Sequence, residues 1–217
     1  MTRLRKYMNI LITGGAGYIG SHVVYSIAMQ GHNVFILDDL RNSNSNVIEA
    51  LFNITGKKIK LFVENIANKN SVVKILQENY IDVVIHLAGD KAVGHSIVDP
   101  LGCYKNNFVG SFNLIKAMAT AGVTRLVFSS SASVYGDPMY LPIDEDHPLS
   151  PKSPYARSKL MIENMLSDVA SVANQNWRIA SLRFFNPVGS HSSGLIGENL
   201  HINPVNLMPQ LGRVALG

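Results

Sequence analysis

A chain of 217 residues, 47% of them hydrophobic, can build one domain with a true core and a fraction of a second. No apolar run approaches the roughly 18 residues of a membrane-spanning helix. Part of the net charge of +4 sits in two small basic clusters without interleaved aromatics, read as solvated surface and not as a nucleic-acid face. Cys103 is the single cysteine, so an internal disulfide is excluded and a reducing compartment fits.

MTRLRKYM at the start has the basic character of a signal peptide but no separate apolar segment after it. Met8 is therefore a candidate start and a cytoplasmic location is expected. The next residues, Met8–Thr13, form a short apolar run that ends at glycines and predict a buried strand. Tyr18–Gln30 predicts a helix stopped by Gly31, and Asn33–Asp38 a second strand. RNSNSN after it reads as loop. Strands are expected at Lys58–Val63, Ile81–Ala88, Val123–Ser131 and Trp177–Phe185. Helices are expected at Ser71–Asn79, Pro100–Ala121 and Pro154–Ala173. This alternation predicts an α/β fold, a doubly wound parallel sheet of six or seven strands covered on both faces. Beyond residue 187 the rhythm becomes irregular. The expected division is a dinucleotide-binding domain over residues 1–187 and the beginning of a second, substrate-binding region over 188–217.

Between the first strand and first helix lies TGGAGYIG, which contains G-x-G-x-x-G at Gly15, Gly17 and Gly20 and G-x-x-G-x-x-G at Gly14, Gly17 and Gly20. Glycines there permit a tight turn, let backbone approach a pyrophosphate and pack the helix on the sheet. The free N–H groups at the helix start then face the phosphates. Asp38 ends the second strand, where a carboxylate accepts from ribose hydroxyls and repels a 2′-phosphate, selecting NAD over NADP. Arg41 lies close by and works against that choice.

Tyr155 and Lys159 form Y-x-x-x-K just after Ser153-Pro154, a helix start with a good N-cap, so both point from one helix face. A phenol titrates near pH 10. A cation about 4 Å away contributes ~4 kcal/mol at an effective dielectric of 20, enough to lower that value by roughly 3 units. Tyr155 is thus the expected general base. Ser131 ends the fifth strand, on the edge where ligands sit in such sheets, and is placed to hydrogen-bond the reacting hydroxyl. No metal site is expected. His22, His86 and Cys103 are read as structural.

Together these segments resemble the extended short-chain dehydrogenase/reductase family, and within it the UDP-galactose 4-epimerases. The resemblance is carried by TGGAGYIGSH (13–22), ILDDLRNS (36–43), HLAGDKAVGHS (86–96), FSSSASVYG (128–136), SPYARSK (153–159), LRFFNPVG (182–189) and NLMPQ (206–210). It implies NAD as cofactor, a UDP-sugar as substrate, a homodimer, and inversion at C4 of the hexose through a 4-keto intermediate. It also implies roles. Tyr18 and Ile19 meet the pyrophosphate through their backbone, beside Gly14, Gly17 and Gly20. Asp38, Asp39, Leu40, Arg41, Asn42 and Ser43 line the adenosine ribose and phosphate. Asn65 and Ile66 flank adenine. Leu87, Ala88, Gly89 and Lys91 run along the cofactor with Asn106 nearby, and Phe185 meets the nicotinamide. Lys91, Ser131, Tyr155, Asn186, Asn206 and Leu207 contact the UDP-sugar.

The chain also departs from the family pattern. Asn65 replaces an Asp, Asp90 an apolar residue, His95 an acid and Ser133 a Thr. Complete epimerases run well past residue 217, so a truncated enzyme, or a non-catalytic NAD-binding fragment, is one expectation. A 4,6-dehydratase relative is a further alternative, although such enzymes carry Asp-Glu where this chain reads Ser-Ala-Ser at 131–133.

Overall fold

The structure, a computed structural model, describes residues 7–173, 175–198 and 207–216. The chain runs β1 (Asn9–Thr13), α1 (Tyr18–Met29), β2 (Asn33–Asp38), α2 (Asn46–Thr55), β3 (Lys60–Val63), α3 (Lys69–Glu78) and β4 (Val83–His86). It continues through α4 (Val93–Val98), α5 (Pro100–Tyr104), a π-helical turn at Lys105–Val109, α6 (Gly110–Ala121) and β5 (Arg125–Ser131). A 3₁₀ turn at Ala132–Val134 follows, then α7 (Pro154–Ser171), β6 (Arg178–Phe184) and α8 (Leu207–Leu216).

Among the described residues the strands form one six-stranded parallel sheet in the order β3-β2-β1-β4-β5-β6. The order reverses between β1 and β4, so a crevice opens there at the carboxyl ends of the strands. Alternate residues face opposite sides. Leu11, Leu37, Val84, Leu126 and Phe128 pack against α3, α6 and α7 through Leu76, Leu114, Met118 and Ile162. Ile10, Ile12, Val34 and Ile36 pack against α1 and α2 through Val24, Ala28 and Leu51. Each such fully buried side chain contributes roughly 1.5–3 kcal/mol, and this two-sided core fixes the strand ends that carry the site.

Local chemistry explains most element ends. Ser153 caps α7 by accepting the Ala156 N–H at 3.1 Å, with Pro154 in its first turn. Asn68 caps α3 by accepting the Ser71 N–H at 3.4 Å. Two helices depart from the sequence reading. The stretch taken as loop leads directly into α2, whose Leu51 is fully buried. Six-residue α4 interrupts the connection from β4 to α5. The expected helix over 100–121 holds, but its turns widen at Lys105–Val109, bringing Asn106 and Asn107 to the crevice.

Candidate active site

The glycine turn joins β1 to α1 across the crevice. Gly14 has φ +70, and a Cβ there would lie 2.7 Å from the Ala88 nitrogen. A Cβ on Gly20 would lie 2.1 Å from the Gly14 carbonyl oxygen, so any larger residue forces helix and loop apart. No side chain caps α1 at Gly17. The first-turn N–H groups of Tyr18 and Ile19 thus begin a helix whose positive end faces the crevice, a cradle suited to an anionic pyrophosphate. The fit to a dinucleotide rests on this packing.

Asp38 sits where the sequence reading placed it, at the end of β2, and is 8% exposed. Its Oδ2 accepts the Ala16 N–H at 3.0 Å, bracing the glycine turn. Its Oδ1 accepts from the Leu40 N–H at 3.0 Å and the Ser43 hydroxyl at 2.8 Å. Arg41 does not reach toward Asp38. Its Nε donates to Asp39 Oδ2 at 2.7 Å and its Nη2 to Asn106 Oδ1 at 2.5 Å. Asn65 Nδ2 donates to the same Asp39 oxygen at 2.8 Å. These contacts join the ends of β2 and β3 to the π turn. Asn42 lies exposed in the same loop, and Ile66, 7% exposed, packs into the core beside Gly110.

Leu87, Ala88 and Gly89 leave β4 alongside the glycine turn, with the Leu87 N–H bonded to the Thr13 carbonyl at 3.0 Å. The following loop is pinned by Asn107, a buried residue that sequence reasoning passed over. Its Oδ1 accepts the Asp90 N–H at 2.8 Å, and its Nδ2 donates to the Asp90 carbonyl at 3.1 Å and to Ser158 Oγ at 3.3 Å. Only the tertiary register of the π turn against α7 reveals it. Lys91 pairs with Glu198 at 2.9 Å. Beneath the loop His86, 1% exposed, bridges Thr13 Oγ1 at 2.7 Å and Ser111 Oγ at 2.8 Å. Burial, helped by the charge of Lys159, pushes it down to about 3, so it is neutral and structural.

Ser131, Tyr155 and Lys159 meet at the carboxyl end of β5. Ser131 Oγ accepts the Ser133 N–H at 3.2 Å and lies 2.9 Å from Ser133 Oγ. Lys159 is 5% exposed. Its Nζ donates to the Ser129 carbonyl at 2.8 Å and lies 5.0 Å from the Phe128 ring centroid and 5.8 Å from that of Tyr155. Burial lowers its amine to about 8. The Tyr155 phenol corrects an expectation. Burial raises it, and hydrogen bonding to Ser131 opposes that rise. The Lys159 nitrogen is directed to a backbone carbonyl rather than to the phenol, so Ser131 is the side chain that favours the phenolate.

The remaining expected residues are not drawn together. Phe185, 59% exposed, follows β6 with its ring centroid 6.5 Å from that of Tyr135, and Asn186 is exposed beside it. Leu207, 69% exposed, opens α8. Asn206 lies outside the described residues. Among the described residues no cluster of His, Cys, Asp and Glu is arranged to hold a metal.

Known proteins match this arrangement over nearly the whole chain. UDP-glucose 4-epimerase of Neisseria meningitidis serogroup A is 49% identical over 210 residues, covering 96% of this chain and 62% of that protein. The structure of UDP-glucose-4-epimerase from Stenotrophomonas maltophila, with bound NAD and formylated UDP-arabinopyranose, superposes with a TM-score of 0.94 at 46% identity, over 97% of this chain and 62% of its own. The Bifidobacterium longum UDP-glucose 4-epimerase in complex with NAD+ and UDP gives 0.92 at 42% identity, over 96% and 62%. This chain thus spans about 62% of the length of these relatives. The model of the NAD dependent epimerase/dehydratase family matches residues 10–203, from the first strand past the end of the last, and the chain belongs to that family.

Proposed function

We propose that this chain carries the NAD-binding and proton-transfer part of a UDP-hexose 4-epimerase that interconverts UDP-glucose and UDP-galactose. The carrying observation is that Ser131, Tyr155 and Lys159 converge at one end of β5, across the crevice from the glycine turn, in a chain 49% identical to a UDP-glucose 4-epimerase. In this reading residues 1–187 are the dinucleotide domain and 188–217 begin the sugar-nucleotide region.

Gly14, Gly17, Tyr18, Ile19 and Gly20 hold the pyrophosphate through backbone, and Asp38 to Ser43 hold the adenosine ribose. Asn65 and Ile66 border adenine, and Leu87, Ala88, Gly89, Lys91, Asn106 and Phe185 line the remaining length. NAD supplies hydride acceptance at the sugar C4 and its return. Tyr155 removes the proton of the 4-hydroxyl and later gives it back, with Ser131 holding the same oxygen. Lys159 anchors α7 to β5 through the Ser129 carbonyl and lines the NAD site beside Tyr155. Asn186, Asn206 and Leu207 belong to the UDP-sugar contacts.

We assign a homodimer to the same reading. Leu101, 79% exposed, with Val109, Phe112 and Met161 at 41–44%, presents apolar surface on the helices around α5–α6 and α7. Exposed apolar side chains on these helices support an interaction face there. A cytoplasmic location keeps the thiol of Cys103 reduced.

Purified chain released from denaturation is expected to yield NAD, and UDP-galactose incubated with an active preparation is expected to yield UDP-glucose. Dehydration of the sugar instead of inversion would replace this reading with the 4,6-dehydratase one. NAD binding without turnover would favour a dinucleotide-binding unit, which the 62% span also supports. Sedimentation as a folded monomer at micromolar concentration would overturn the dimer.

A further inference from the structure

Two acids in succession end β2, and they bond in different directions. Asp38 is occupied by the glycine turn and its own loop through Ala16, Leu40 and Ser43. Asp39 faces Arg41. It accepts the Arg41 backbone N–H at 3.3 Å and Nε at 2.7 Å, while Asn65 Nδ2 donates to the same Oδ2 at 2.8 Å. The far end of the guanidinium is bonded to Asn106. Asp39 and Arg41 side chains are 25% and 52% exposed, in the loop that leaves the carboxyl end of β2, so solvent and a ligand can reach them.

An arginine near the acid that ends β2 is the group that accommodates a 2′-phosphate on the adenosine ribose. Guanidinium and phosphate pair through charge-assisted, often bidentate bonds. Here the Nε edge already pairs with a carboxylate. A phosphate arriving at Arg41 finds its Nε edge taken by Asp39 and sits beside that carboxylate's charge.

We propose that Asp39 is a specificity-determining residue which, by pairing with Arg41, denies that cation to a 2′-phosphorylated coenzyme. This rests on the dinucleotide reading above. Coenzyme choice is then set by both acids: Asp38 at the ribose and Asp39 through the arginine. Asn65 is a positioning residue, keeping the Asp39 carboxylate turned toward Arg41.

Calorimetric titration of the 217-residue chain with ADP and with 2′,5′-ADP tests this without any turnover. Wild type is expected to prefer ADP. Asp39→Asn and Asp39→Ser are expected to bind 2′,5′-ADP about tenfold tighter than wild type, the scale of one charge-assisted contact. Because Asp39 also borders the adenosine ribose, the deciding readout is the ratio of 2′,5′-ADP to ADP affinity within each variant, which should rise about tenfold over the wild-type ratio. Adding Arg41→Ala should abolish the gain. No gain in either variant, or a gain that survives Arg41→Ala, overturns the proposal. Failure of wild type to bind either nucleotide overturns the dinucleotide reading itself, and this inference with it.

Discussion

Ser130 places its hydroxyl on the carboxylate of Glu163, joining β5 to α7 one residue before Ser131 and one helical turn beyond Lys159. Arg183 of β6 completes the junction, with Nη2 2.8 Å from Glu163 Oε2 and Nη1 3.0 Å from the Tyr135 hydroxyl. Glu163 and Arg183 side chains are only 10% and 21% exposed. Glu163→Ala strands a largely buried guanidinium and is expected to destabilise the fold by about 3–5 kcal/mol. Glu163→Ala with Arg183→Leu should recover much of that loss. Urea denaturation of the single and double variants measures both, and equal stabilities for the two would refute the argument.

His86 gives the fold a defined acid limb. In the unfolded chain it titrates near 6.5, in the folded protein near 3, because burial and then Lys159 oppose its charge. Between those values the unfolded state binds more protons, so stability falls as pH falls, by about 1.4 kcal/mol per pH unit from this group. His86→Gln, tested beside wild type by denaturation from neutral pH toward pH 4, should lack that part of the slope. Parallel slopes would contradict the assignment.

Tyr155→Phe is expected to leave NAD affinity within about threefold while lowering turnover of UDP-galactose about 10²–10⁴-fold, the usual range for a lost acid–base group. Stopped assays in a preparation with measurable turnover decide it. A Phe variant with near-normal turnover removes Tyr155 from the chemistry.

The 217-residue polypeptide is expected to bind NAD and turn over UDP-galactose far more slowly than the relatives it spans by about 62%. Binding energy from a remote group such as UDP positions the reacting sugar, and losing it lowers turnover as well as affinity. Turnover equal to that of a full-length relative would reject this.

Much of the fold was legible because its signals are local. β2 coincides with the expected strand, and α7 begins at the expected Ser153 cap. Helix α2 was missed for its polar leader, although Val47, Ile48, Leu51 and Phe52 recur at helical spacing and Gly56 stops it in a left-handed conformation. Asn107 depends on how the π turn meets α7, and no local pattern encodes that. The Arg41–Asn106 bond joins residues far apart in sequence and was invisible for the same reason. The direction of the Tyr155 shift follows from burial, which outweighs the Ser131 hydrogen bond, while the Lys159 nitrogen goes to the Ser129 carbonyl. Y-x-x-x-K spacing fixes the shared helix face but leaves the acceptor undetermined.

Helix α7 grips β5 at successive residues, Lys159 on the Ser129 carbonyl and Glu163 on the Ser130 hydroxyl, directly before Ser131. The groups proposed to move protons are therefore mounted on a single strand–helix pair, held in register by bonds internal to that pair. Of the proposed sugar-nucleotide contacts, Asn186, Asn206 and Leu207 follow β6 and lie outside that pair. On the proposed reading, substitutions at those three positions change sugar contacts without touching the bonds that hold β5 to α7.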